Sequence, residues 1–147
     1  MSKHDDFERF RFSQVQNANI NLDFLVPRTL ATLQIHSDRN DVVWLNATVG
    51  WNAVTNGTGF AHVDVRFKIF RGNPVTGTLI YSALDTAQAF PDDHAAVTHI
   101  SHVDSGFASD NVFLYTLTAE LAFDGQADAV VTGPITFTAV EIGVNEG

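Results

Sequence analysis

The 147-residue chain has no cysteine, which excludes disulfides, thiolate metal sites and a cysteine nucleophile. The lack of disulfides does not fix a compartment, since a β-sandwich can be stable outside a cell without them. Positive charge is scarce: eight Lys and Arg stand against seventeen Asp and Glu, for a net charge of −9. Such a surface repels a polyphosphate at long range, so neither nucleic acid nor an anionic membrane is an expected partner. No apolar run approaches the ~18 residues that cross a bilayer, so membrane insertion is not expected. The opening stretch MSKHDDFERF has no apolar signal core. The expectation is cytoplasmic synthesis, with any placement outside the cell or on a spore or cell surface reached by another route, such as spore release or lysis. Helical stripes, internal repeats, linkers and low-complexity tracts are also missing. So are the GxSxG nucleophile elbow and the HxH and HExxH ligand pairs.

What the chain has is alternation. Hydrophobic residues make up 45% and charged residues 17%, which suits one globular domain with a sizeable core. Phenylalanine occurs 12 times, and it favours strands. In VVWLNATVGW, Val43, Leu45, Ala47, Val49 and Trp51 share a parity; in AHVDVRFKI, Val63, Val65, Phe67 and Ile69 do; from Phe113 to Phe123 every odd position is apolar. In GPITFTAVEIGV the parity flips at Ala139–Val140, which calls for a β-bulge or for burial on both faces. Turn-forming stretches at 55–59, 72–77, 90–95, 104–111 and 124–128 separate these runs. They delimit strands near 19–26, 29–36, 42–52, 60–71, 78–85, 96–103, 112–123 and 129–143. The predicted fold is all-β: an antiparallel two-sheet sandwich of jelly-roll type with about eight strands and an extended N-terminal arm.

The stretch THISHVDSG, 98–106, gathers two histidines, an aspartate and a serine. Strand parity puts His99 and His102 on opposite faces, so they cannot share a metal without a bulge. His102 and Asp104 share a face, but no serine elbow accompanies them. The expected reading is polar groups on a strand's wet face, leading into a turn. His62 and Asp64 share a face with Arg66 and Lys68, which reads as a solvated charged stripe or a surface for a ligand. PDDH at 91–94 supplies too few oxygens to specify calcium. NAT at 46–48 and NGT at 56–58 match the glycosylation acceptor but read as chance matches. Trp51 belongs to a core parity. Trp44 lies on the other face with Asn46 and Thr48, and is expected at a subunit interface or a sugar-binding patch. No catalytic residue, metal or cofactor is expected, and the protein is read as a non-enzyme.

Residues 1–18 differ from the rest, being rich in charge and amide and anchored by Phe7, Phe10 and Phe12. They run into NINLDFLVP, where Ile20, Leu22 and Phe24 alternate with polar residues. This region reads either as the first strand of its own sandwich or as an arm on a neighbouring subunit's sheet, followed by a single sandwich domain over 19–147.

Read together, ATVGWNAV, VRFKIFRGNPVTGTLIYSALDT, THISHVDSG, NVFLYTLTAEL and VTGPITFTAVEI resemble the exosporium protein C-like small β-sandwich proteins of spore-forming Firmicutes. The carrying positions are Gly50-Trp51, Phe67 to Arg71, Ile80-Tyr81, Val103 to Ser105, Tyr115 to Glu120 and Val131 to Phe137. The likeness covers roughly residues 42–142 and excludes the arm. It implies a jelly roll like those of the C1q and tumour-necrosis-factor group, and a structural role on a spore or cell surface. The expected partner is the chain itself. Assembly is expected into a filament or surface layer through sandwich contacts and an N-terminal donor strand, with a closed trimer that binds glycan or another ligand as the alternative.

Overall fold

The structure, a computed structural model, describes residues 5–59 and 61–144, with side chains over 9–59 and 61–143. Nine strands follow in order: β1 (Asp5–Val15), β2 (Ile20–Asn21), β3 (Arg28–Ser37), β4 (Val42–Val54), β5 (His62–Arg71), β6 (Thr78–Gln88), β7 (His94–Asp104), β8 (Asn111–Leu121) and β9 (Asp128–Val144). The first sheet runs β1-β9-β4-β7, with β2 also on β9; the second runs β3-β8-β5-β6. All strand pairs within the sheets are antiparallel. The chain alternates between sheets so that each holds strands from both of its halves. This order is that of a jelly roll.

The alternation read from the sequence explains the core. Val43, Leu45, Val49 and Trp51 of β4 and Val63, Val65, Phe67 and Ile69 of β5 are fully buried between the sheets. So are Tyr115, Leu117 and Ala119 of β8 and Phe137 and Ala139 of β9. Each of the larger apolar chains contributes about 1.5–3 kcal/mol on burial. In β9 the parity flip reflects neither a bulge nor burial on both faces: Ala139 and Glu141 keep the core parity, and Val140 and Ile142 turn to the outer face, half-buried. The ladder to β4 runs without a shift from Ile142 to Ile135, so no bulge separates Ala139 from Val140.

The N-terminal region forms part of this sandwich. β1 pairs with β9 of its own chain from Asp5–Val144 to Val15–Ile135, and β2 continues the same edge at Ile20–Val131. The boundary drawn at residue 18 therefore falls within one sheet edge. The strand expected over 19–26 is short. After β2 the chain makes only isolated bridges, Asp23 with Val26 and Phe24 with Leu121.

Between β1 and β2 the edge is interrupted where β9 carries Gly133 and Pro134. There the β4–β9 ladder shifts register, between Val49 and Trp51. The Gly133 carbonyl turns toward Gly50, where a Cβ would lie 2.3 Å from its oxygen. Gly133 itself has φ +86 and sits under the Gln16 carbonyl.

Candidate functional site

In β1, Arg9, Arg11, Ser13 and Val15 share one parity, and Phe10, Phe12 and Gln14 the other. What decides which set faces inward is Glu141 on β9, whose side chain is fully buried. Arg9 lies opposite Glu141 in the ladder and donates to its Oε1. The Asp38 N–H donates to Glu141 Oε2 at 2.7 Å. A one-residue slip of β1 would set Phe10 against that carboxylate and strand its charge. The same parity then places Phe10 and Phe12 on the outer face, 52% and 63% exposed. Their rings stack with centroids 5.8 Å apart.

This edge locks the N-terminal strand electrostatically. Burial alone would raise the Glu141 carboxyl. The Asp38 N–H, a hydrogen bond shared with Asp41 and the Arg9 guanidinium outweigh it and hold the group below the usual carboxylate value. A depressed folded value means that the stability it confers is present above the unfolded value of about 4.3 and is lost as pH falls through the folded one. Glu141→Gln is expected to cost about 2 kcal/mol at neutral pH and to flatten the acid limb of the stability profile. Urea midpoints measured between pH 7 and pH 3 for both proteins check this.

One ring nitrogen of His36 and one carboxylate oxygen each of Asp38 and Glu141 lie within 4.8 Å of one another, close enough to share an ion. The positive charge at this cluster already comes from Arg9, which also stands 3.9 Å from Asp38.

Across the first sheet the outward residues align in three rows of four, read from the ladders. Phe10, Val140, Trp44 and Val103 form the first. Phe12, Thr138, Asn46 and Ser101 form the second, and Gln14, Thr136, Thr48 and His99 the third. No Asp, Glu, Lys or Arg occurs in them. The polar groups largely answer one another. Trp44 Nε1 donates to Ser101 Oγ at 2.9 Å, and Thr48 Oγ1 lies 3.1 Å from His99 Nδ1. Trp44 is 38% exposed and Val103 51%. With its N–H satisfied inside the face, Trp44 offers mainly carbon to a partner.

The structure thus brings together Trp44, Phe10 and Phe12, which the sequence reading kept apart. Phe7 pairs through its backbone with Ile142, and its side chain lies outside the described residues. Leu22 is buried, and Ile20 and Phe24 pack against the chain's own core. His62 and Asp64 stand on the second sheet, away from Trp44. Asp64 there accepts from Thr86, and His62 Nε2 is 3.9 Å from Asp64 Oδ2.

The THISHVDSG stretch is not a wet-face strand throughout. His99 and His102 do point to opposite sides, but Thr98 and Asp104 face the interior, 7% and 4% exposed. Thr98 Oγ1 accepts the Trp51 indole N–H at 2.9 Å and donates to Asp85. Asp104 accepts from Arg71 Nε at 2.8 Å, from Arg71 Nη2 and from the Tyr115 hydroxyl at 2.6 Å. These polar residues serve buried donors. The signal was available in the sequence, because a core Trp and a core Tyr each need an acceptor.

No family model matches the chain, and no curated protein matches it. Among solved structures it is similar to that of the infectious bursal disease virus Gx strain, at 11% identity and TM-score 0.42, over 96% of this chain and 38% of that one. It is also similar to infectious bursal virus derived T=1 particles, at 11% identity and TM-score 0.34, over 94% of this chain and 40% of that one. A structure described as "CBM4 structure and function" matches at 14% identity and TM-score 0.28, over 78% of this chain and 59% of that one. The chain thus spans less than two thirds of each of these chains. Its assignment as a jelly roll rests on its own strand order.

Proposed function

We propose that this protein is a non-enzymatic structural subunit that self-associates through the outer face of its first sheet. The observation that carries the reading is the uncharged apolar row of Phe10, Val140, Trp44 and Val103, flanked by Phe12, on a chain of net charge −9. Strands spaced ~4.8 Å apart and rows ~6.8 Å apart give these three rows a projected area of about 400 Å². Within that area the first row and Phe12 make one contiguous apolar strip rimmed by uncharged polar residues, the pattern of a contact surface. A second copy is the occupant that fits. Elsewhere copies repel one another, and here two neutral faces meet without stranding a charge. Packing the same face against itself is a two-fold contact, at the ~10 Å spacing of stacked sheets.

A second reading, exchange of β1 between copies, is favoured by how that strand is held. Arg9, Arg11 and Ser13 add no apolar burial, so ladder hydrogen bonds and the Arg9–Glu141 pair retain it, and these would form equally well on a neighbour's β9. Head-to-tail exchange is heterologous and extends into rings or filaments.

Phe12→Asp separates the readings, since it charges the face and leaves the ladder intact. Light scattering across a concentration series is expected to show the wild type associating, and the variant at least about a hundredfold weaker. Unchanged association in the variant would remove face-to-face packing and leave exchange. Deleting residues 1–18 without effect on assembly would remove both.

A further inference from the structure

At the far end of the sandwich, the loop after β4 and the loop after β6 enclose an open depression of about 320 Å³, lined by Thr55, Asn56, Gly57, Gly59, Phe90 and Pro91. We infer that this depression is a binding site for a neutral pyranose sugar. Phe90 is 52% exposed, and with Pro91 it forms an apolar wall onto which the C–H face of a sugar ring can stack. Gly57 and Gly59 also line the depression, with φ +82 and +81, and a Cβ at either would meet nothing within 4 Å. Both do so without a side chain, so a ligand can approach their backbone closely.

The loop is held in this shape by its own side chains. Thr55 donates its N–H and hydroxyl to Asp93 Oδ1 at 2.9 and 3.2 Å. Asn56 donates to the Gln126 carbonyl and to Asp128 Oδ1 at 3.0 and 3.1 Å, and accepts from the Thr58 N–H and hydroxyl. Asn56 has both ends of its amide engaged, so it shapes the site and does not serve as a glycan acceptor. Asp93 lies behind the lining residues and fixes the loop through Thr55.

Charge and chemistry select the ligand class. Asp92, Asp93 and Asp128 together with the net charge of −9 disfavour phosphate or a uronic acid. A purely hydrocarbon ligand would desolvate the glycine amides without replacing their hydrogen bonds. Among the described residues, the one cluster of histidine and acid groups close enough to hold an ion lies elsewhere, at His36, Asp38 and Glu141. A cavity of this size falls in the range of small-molecule sites, ~300–1,000 Å³. The site lies about 36 Å along β4 from Trp44, so it stands independently of the self-association face.

The test is an NMR titration of the ¹⁵N-labelled full chain with the methyl glycosides of glucose, galactose, mannose and N-acetylglucosamine. At least one is expected to shift the Gly57 and Gly59 amides saturably, with a dissociation constant on the order of 1 mM. Phe90→Ala, a change at a half-exposed ring, is expected to keep the fold and weaken binding about tenfold. Methyl glucuronide is expected to bind more weakly than its neutral counterpart. Absence of saturable shifts with all four glycosides, equal affinity in Phe90→Ala, or tighter binding of the glucuronide would each overturn the assignment.

Discussion

Asp104→Ala is expected to lower the stability of the fold by about 3 kcal/mol, at the low end of the cost of breaking a buried charged pair. The carboxylate is 4% exposed and takes three donors from two residues on two other strands, Arg71 at the end of β5 and Tyr115 in β8. It therefore ties the first sheet to the second at one end of the sandwich. Removing it leaves the Tyr115 hydroxyl without an acceptor in the core. The Arg71 side chain, 29% exposed, keeps some access to water and its place beside the Phe107 and Phe113 rings. That residual solvation is why the low end of the range applies. Burial, reinforced by the Asp104 carboxylate, holds the Tyr115 hydroxyl far above its usual titration range, so this anchor stays a donor at any pH the fold survives. Asp104→Asn, which keeps an acceptor for Tyr115 but drops the charge, is expected to fall between wild type and Asp104→Ala. Tyr115→Phe should lose about 1 kcal/mol, the value of one hydrogen bond. Urea unfolding of the three variants ranks them; Asp104→Ala within 0.5 kcal/mol of wild type, roughly the scatter of neutral surface changes, would show that the tie is not structural.

Gly50→Ala is expected to be at least as damaging, through a different cause. A Cβ there would stand 2.3 Å from the Gly133 oxygen, 2.7 Å from the Gly133 carbon and 3.2 Å from Pro134 N. All three are backbone atoms, so no side chain can swing away. β4 lies between β9 and β7, and relief requires prying β4 from β9 where the Gly133–Pro134 interruption already shifts the ladder. A loss of about 3 kcal/mol or more is expected, a drop in melting temperature of roughly 10 °C for a domain of this size. Thermal unfolding followed by circular dichroism reads it directly. A melting temperature within a degree or two of wild type would mean that β9 takes another path past Gly50.

These two positions show what could be read from the chain alone and what could not. The pairing of Val43, Leu45, Val49 and Trp51 with a core face was legible because period-two alternation is a local signal. The jelly roll followed from strand count and turn spacing. Gly50 was legible as part of a motif but not as a contact, since the carbonyl it accommodates lies 83 residues further on at Gly133. Asp104 and Thr98 were misplaced because polar residues were assigned to the wet face of a strand with apolar residues on both parities: Ile100 inside, Val97 and Val103 outside. Only the needs of Trp51 and Tyr115 reverse that assignment. In β1 the alternation of Phe with Arg was plain. Its sense depends on a buried Glu141 that needs a cation, and nothing in the first fifteen residues encodes that. The grouping of Phe10 and Phe12 with Trp44 followed only once the ladders were known.

The most direct measurement of self-association through this face is quenching of tryptophan fluorescence by acrylamide as protein concentration rises. Trp51 is fully buried and serves as an internal reference, so the quenchable signal is that of Trp44. The expected result is that Trp44 becomes shielded over the same concentrations at which molecular mass increases, and stays open in Phe12→Asp. A mass that rises while Trp44 stays equally accessible, or a chain that remains monomeric at every concentration, would contradict it.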